Sequence, residues 1–249
     1  MLDVLVVLLI VLRAGDAAAP VAARRGEFFS WIRREVGDAW SGEWLEHDVR
    51  KDEPLPGPGD AAGFIITGSS SSVTERAPWM LRTEELVRGI AKAGTPLFGI
   101  CFGHQLVGQA LGGRVAKNPR GREIGTHTVR LLPHSPPDPI FAALGTSPAR
   151  ELRANHTHVD SVVELPEGAQ LLAETDLEPH AAFAVGERIK CVQFHPEIDG
   201  DAMRGYIEAR AHLIEAEGGH PRAILERVTD APDGASTLKS FVRLVVRPR

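Results

Sequence analysis

The ten residues from Pro96 to Gln105, P-L-F-G-I-C-F-G-H-Q, constrain this chain more than any other stretch. Leu97 to Ile100 is a short apolar run of the kind that makes a buried strand. Leu106, Val107, Ala110 and Leu111 then recur at helical spacing until Gly112 and Gly113 end the helix. Cys101 therefore stands on a sharp strand-to-helix turn, flanked by Gly99 and Gly103. This is the geometry of a nucleophile elbow with sulfur in place of a serine oxygen. Glycines suit it because the two backbones come close and the turn tolerates little side-chain bulk. The partial positive charge of a helix N-terminus favours thiolate over thiol, and its free N–H groups can hold an oxyanion beside the sulfur. The competing reading is a buried cysteine in an α/β crossover, the commoner fate of a free cysteine.

Composition narrows the setting. The chain has 249 residues, 43% of them hydrophobic and 24% charged, enough for one large core or a core with an appendage. A net charge of −5 gives no basic field for nucleic acid. Two cysteines, Cys101 and Cys191, are too few for a disulfide framework, so a reduced, cytoplasmic context is expected. No run of residues resembles a zinc-ligand motif, and no metal site is expected.

At the N-terminus, Val4 to Leu12 followed by Ala17-Ala18-Ala19 has the outline of a signal peptide. It carries Asp3 but no Lys or Arg before the apolar run, which Arg13 and Asp16 closely follow, and it is too short to span a bilayer. It reads instead as the central strand of a parallel sheet, where near-continuous Val, Leu and Ile are expected. Glu27 to Val36 is an amphipathic helix, Trp44 to Val49 a second strand, and Pro54 to Gly59 a loop. Gly63 to Thr67 is a third buried strand running into Gly68 and four serines, with a helix from Trp79 to Ala91 beyond. That Gly/Ser loop has three readings: a weak phosphate cradle without the Lys-Ser/Thr of a P-loop, a donor of an oxyanion N–H beside Cys101, or a polar connection.

Between Arg114 and Phe194 the texture changes to short strands with period-two alternation, an antiparallel or mixed extension of the parallel sheet. This region ends in Val192-Gln193-Phe194-His195-Pro196-Glu197. Proline holds the preceding histidine extended, so His195 and Glu197 project the same way and the carboxylate can fix the imidazole's tautomer. Cys101, His195 and Glu197 would make a nucleophile–base–orienter set if the strands bring them together.

Taken together, Gly99 to Gln105 and Gln193 to Glu197 resemble the class I (triad) glutamine amidotransferases, in particular the glutaminase domain of GMP synthase and its free-standing relatives. Gly63 to Val73 is similar to the family's strand and oxyanion loop. Arg122 to Gly125 is similar to its R-E-x-G segment, and Thr157 to Pro166 to its S-H-x-D-x-V-x-x-L-P loop. The resemblance covers about residues 1–200. It implies an α/β, flavodoxin-like fold, with a mixed, mostly parallel sheet flanked by helices. Residues 201–249 would be a helical C-terminal extension on the same domain, with Arg243, Arg247 and Arg249 at its solvated end.

Carried over by position, the resemblance makes Cys101 the nucleophile, His195 the general base and acid, and Glu197 the orienter. Backbone N–H groups of Phe102 and Ser69 would hold the oxyanion. Gly68, Gln105, Thr157, His158 and Val159 would line the substrate. Two departures stand out: Gly68-Ser69-Ser70 replaces the usual G-G-P, and Thr157 replaces serine. Cys191 reads as core.

The implied reaction is hydrolysis of the side-chain amide of glutamine through a cysteinyl thioester, with no cofactor. A small-molecule substrate and a synthase partner protein are implied, with neither nucleic acid nor membrane. The S-G-G-x-D-S loop of the ATP-pyrophosphatase that continues GMP synthase does not occur, so ammonia's acceptor is unassigned. The alternatives are a γ-glutamyl peptidase acting without a partner and a catalytically idle binding or regulatory member.

Overall fold

Alternation along the first strand sets the layering. In Leu8–Arg13 (β1), Leu9 and Val11 enter one hydrophobic core while Ile10 and Leu12 enter another, so the strand is covered on both faces. The structure, a computed structural model, describes residues 7–133, 138–144 and 150–246. Val4 to Val6 of the apolar run, and Arg247 and Arg249 of the tail, lie outside these residues.

The parallel part of the sheet comprises β1, Glu43–Asp48 (β2), Gly63–Ile66 (β3), Leu97–Ile100 (β4) and Ile189–Val192 (β11). The antiparallel part adds Ala182–Val185 (β10), Gln170–Glu174 (β9), Glu123–Leu131 (β6) and Glu151–His158 (β7). The nine strands run in the order β2-β1-β3-β4-β11-β10-β9-β6-β7. A separate antiparallel pair joins Arg114–Lys117 (β5) to Asp160–Glu164 (β8). The mixed, mostly parallel architecture is the one expected, although β1 lies one strand from the edge rather than at the centre. Strand β7 and the helix Ala19–Arg25 (α1) carried no clear periodic signal.

Helices cover both faces. On one side lie α1, Phe28–Val36 (α2), Gly200–Ala209 (α5) and Pro232–Leu244 (α8), contributing Val21, Trp31, Ile32, Met203 and Phe241 to the core. On the other, Pro78–Ala93 (α3) and Phe102–Ala110 (α4) contribute Val87, Ile90, Leu106 and Val107. Helix α3 begins with Pro78 and stops at Gly94, whose φ of 68° supplies the left-handed cap. Short helices Ala211–Ala216 (α6) and Pro221–Leu225 (α7) follow α5, so the helical extension is broken into pieces, the first break falling at Arg210. Helix α8 closes over the sheet, with Phe241 5.1 Å from Phe98 between ring centroids. Arg243 pairs with Asp38 near the end of that helix.

Among the described residues, no helix is long and apolar enough to cross a membrane.

Candidate active site

The strand order reverses between β1 and β3, and crevices at such points lie beyond the carboxyl ends of the strands. Four connections converge there. Gly15 follows β1, Gly68-Ser69 follow β3, Cys101 follows β4, and His195 follows β11. The packing leaves no room for side chains at the glycines. A Cβ on Gly15 would lie 2.5 Å from Ser69 Cα, and one on Gly68 would lie 2.8 Å from His195 Cε1.

The elbow has the close backbone approach read from its sequence. Cys101 has φ 49° and ψ −100°, a strained conformation for a residue with a Cβ. A Cβ on Gly103 would meet the Ile66 carbonyl oxygen at 2.5 Å, and one on Gly99 would meet the Gly103 carbonyl oxygen at 2.7 Å. Only bare backbone lets α4 begin this near β3 and β4. Phe102 is the first residue of α4, so its N–H has no acceptor one turn earlier.

Neighbouring parallel strands bring His195 to the cysteine. Val192 pairs with Ile100 in the register, and the Cys101 N–H donates to the Val192 carbonyl at 2.9 Å. His195 N–H donates to the Asn155 carbonyl at 2.8 Å, and Phe28 stacks on the imidazole with 6.3 Å between centroids. His195 Nδ1 lies 2.8 Å from Glu197 Oε1, leaving Nε2 without another hydrogen-bonding partner. Cys101, His195 and Glu197 are thus gathered in one buried cluster.

The electrostatics of that cluster favour charge separation. Burial alone would push the Cys101 thiol up, but the charge of His195, with a smaller contribution from His158, leaves it below its ordinary value. For His195, burial opposes protonation, yet Glu197 and Cys101 outweigh it and push the imidazole up to about 10. The two shifts belong to one coupled pair, in which each group favours the charged form of the other.

The other expected residues surround it. Thr157 carbonyl oxygen lies 3.9 Å from Cys101 Sγ. Gln105 Nε2 donates to the Asp160 carbonyl at 2.9 Å and to Gln193 Oε1 at 3.1 Å, so its amide nitrogen braces the Thr157–Asp160 turn. His158 turns both ring nitrogens inward, Nε2 3.0 Å from Glu123 Oε2 and Nδ1 3.0 Å from the Asp160 carbonyl. Val159 carbonyl accepts from Asn118 N at 2.8 Å. Ser69 Oγ accepts from Ser71 N at 3.1 Å. The loop is anchored further on by Ser72, which donates to Asp160 and caps a short turn with Glu75.

Behind His158 lies a cluster that sequence reading did not find. Glu123 Oε2 is 2.9 Å from His156 Nδ1 as well as 3.0 Å from His158, and Oε1 accepts from Thr175 at 2.5 Å. All four are buried. Glu123, His156 and His158 offer ligand atoms within 4.8 Å of one another, so among the described residues they are the group that could hold a metal ion. Their shifts describe an ion pair. Glu123 is held well below the usual carboxylate range by the two histidines against its burial. His158 is raised through Glu123, and burial lowers His156 to about 4. Glu123 and His158 lie in the two segments that resemble the family's R-E-x-G and S-H-x-D motifs, but no pattern joined them to each other or to His156.

This geometry coincides with a family match: the model for class-I glutamine amidotransferases matches residues 44–211. The chain belongs to that family. It is similar to gamma-glutamyl peptidase 4 of Arabidopsis thaliana, 30% identical over 169 residues that make up 66% of either chain. It is also similar to GMP synthase [glutamine-hydrolyzing] of Leifsonia xyli subsp. xyli, 36% identical over 172 residues, 67% of this chain but only 33% of that protein. A glutamine amidotransferase of Thermotoga maritima has the same fold, with a TM-score of 0.75, 23% identity, and coverage of 98% of this chain and 99% of that one.

Proposed function

We propose that this amidotransferase-family chain hydrolyses the side-chain amide of glutamine through a cysteinyl thioester, with Cys101, His195 and Glu197 as the catalytic set. The observation that carries the reading is the orientation of His195. Its Nδ1 is held by Glu197 at 2.8 Å while Nε2 is committed to no other group, beside a thiol whose ionisation the imidazole promotes. In this mechanism the Cys101 thiolate adds to the amide carbon, and the N–H groups of Phe102 and Ser69 receive the oxyanion. His195 Nε2 gives its proton to the departing nitrogen as the carbon–nitrogen bond breaks, leaving a γ-glutamyl thioester. The now neutral imidazole takes a proton from water, hydroxide adds to the thioester, and glutamate leaves as the thiolate reforms. Gln105 acts by holding the Thr157–Asp160 turn against the substrate. Residues 1–200 carry the chemistry, and the 201–249 extension covers the same domain through the packing of α8.

A second substrate is favoured by one observation. The match to the Arabidopsis peptidase covers the same share of both chains, whereas GMP synthase is matched over a third of its length. A γ-glutamyl peptide would pass through the same thioester with an amino acid in place of ammonia, and with no synthase partner. Ammonia release from glutamine, measured beside amino-acid release from γ-glutamyl dipeptides, separates the two. Either activity should vanish in Cys101→Ala. Turnover of neither substrate by the unmodified protein, or full turnover in the variant, refutes the assignment.

A further inference from the structure

Arg210 closes the C-terminal end of α5, where its N–H donates to the carbonyls of Tyr206 and Ile207 at 3.2 Å. Its guanidinium carbon sits 4.7 Å over the Tyr206 ring. That ring is itself fixed, being 2% exposed with its hydroxyl accepting from Ala18 N at 3.2 Å. Nη1 of Arg210 is enclosed and donates to no described group. Arg122, the neighbouring cation, already holds Glu217 through two hydrogen bonds of 2.7 and 2.9 Å. Among the described residues no carboxylate pairs with Arg210, so it is the unbalanced charge of the two.

Tyr206, beneath its guanidinium, belongs to the same packed core as Cys101 and Phe28, the ring stacked on His195. Burial disfavours the charged guanidinium and Arg122 repels it, while Tyr206 and the Cys101 sulfur are what favour it. One turn beyond, Ile214 joins Arg122, Glu217 and Val159 in lining a cavity of about 310 Å³. Val159 belongs to the same turn as Thr157, whose carbonyl faces Cys101 Sγ. Arg210 is half-buried, and an enclosed N–H left without an acceptor is costly, while the planar fork of a guanidinium matches a carboxylate with two parallel hydrogen bonds.

We propose that Arg210, stacked on Tyr206 with an enclosed, unbonded Nη1 beside the catalytic cluster, seats the α-carboxylate of the γ-glutamyl substrate whose distal amide Cys101 attacks. The inference rests on the γ-glutamyl reading of the site. Glutamine and γ-glutamyl peptides share that carboxylate a short methylene chain from the scissile amide, so one cation serves both. A peptide also carries a second carboxylate on its leaving group.

The test compares wild type with Arg210→Met on four substrates: glutamine, glutamine α-amide, a γ-glutamyl dipeptide and that dipeptide's C-terminal amide. The expected result is a KM for glutamine raised about 10- to 100-fold, with kcat changed far less, as loss of a charge-assisted pair predicts. The wild-type preference for glutamine over its α-amide should collapse, and Arg210→Lys should restore part of it. Collapse of the preference for the dipeptide over its C-terminal amide, with the α-preference intact, overturns the assignment in favour of the leaving-group carboxylate. Equal losses on acids and amides mean a structural role and also overturn it, as does no change.

Calorimetric binding of glutamine to the Cys101→Ala protein separates this inference from the reaction. Weaker binding on adding Arg210→Met supports the seat even if the native protein turns over no γ-glutamyl compound. Undiminished binding, or none to begin with, refutes it whatever the turnover.

Discussion

Cys101 and Cys191 are both buried, at 5% and 0% exposure, and Cys191 sits opposite Gly99 in the register, two positions before Cys101. They lie on opposite faces of the sheet, Cys101 with α1, α2, α5 and α8, Cys191 with α3 and α4. Burial raises the pKa of each. For Cys191 the Gly99 backbone and the Lys190 charge offset only part of it, and its thiol is pushed far above the ordinary range. For Cys101 the His195 imidazolium reverses the sign. The difference comes from position along the strand. A residue inside β11 meets only neighbouring strands and helices, whereas the residue ending β4 meets the chain as it leaves β11 and delivers His195. Burial alone makes an inert thiol; burial beside a cation makes a reactive one.

The largest expected effects come from removing what distinguishes Cys101. His195→Ala should lower kcat by several orders of magnitude, because the thiolate loses its counter-charge and both proton transfers lose their carrier. Glu197→Gln should cost less, since an imidazole remains but its charge is no longer supported. Gly68→Ala should fall near the milder change. Its methyl would sit 2.8 Å from His195 Cε1, so ring or loop must move, and small displacements of a base are costly. A near-silent His195→Ala, or Glu197→Gln worse than it, breaks the account of why the two cysteines differ.

Much of this contrast was legible in the sequence because it is local. Gly99, Cys101 and Gly103 announce the elbow through their spacing, and Pro196 announces the extended backbone that aligns His195 with Glu197. What closes the site is not local. Phe28 on the imidazole, Asn155 under the His195 N–H and Glu123 behind His158 come from distant segments whose own patterns say nothing of their neighbours. The orientation of Gln105 was hidden for the same reason: its amide could face substrate or protein, and only the packed Asp160 turn shows where its nitrogen is bonded. Strand β7 carries Asn155, His156, Thr157 and His158 as a buried run where apolar alternation is expected, so its period is obscured by the polar groups it brings into the interior.

A pH series sharpens the contrast next. Because the Cys101 thiol is lowered, its alkylation by a small electrophile should persist below the ordinary thiol range and fall only when acid protonates the thiolate. Hydrolysis should also fall on the alkaline side near pH 10, where His195 loses its proton. Glu197→Gln should move the acid limb of alkylation upward, since His195 then holds its proton less firmly. Cys191 should stay unlabelled throughout the folded range. Peptide mapping after alkylation checks both sites at once, and a Cys101 profile indistinguishable from that of a free thiol would erase the distinction.

The smallest expected effect is on the other side of the sheet. Cys191→Ala deletes one buried sulfur among Phe64, Leu106 and Phe183, so the cost is lost contact and a small cavity, about 1–2 kcal/mol. In a domain of this size that corresponds to a fall in Tm of a few degrees. Turnover should stay within about twofold of wild type, because strand β4 and the elbow are held by the close packing at Gly99 and Gly103 and by the backbone ladder to β11, which remain when the sulfur is removed. Urea melts and steady-state kinetics on the same preparation measure the two quantities together. If stability fell as expected while kcat fell tenfold, the core behind the elbow would be setting its geometry. Cys191 would then be a positioning residue, and the two cysteines would differ in distance from the chemistry rather than in kind.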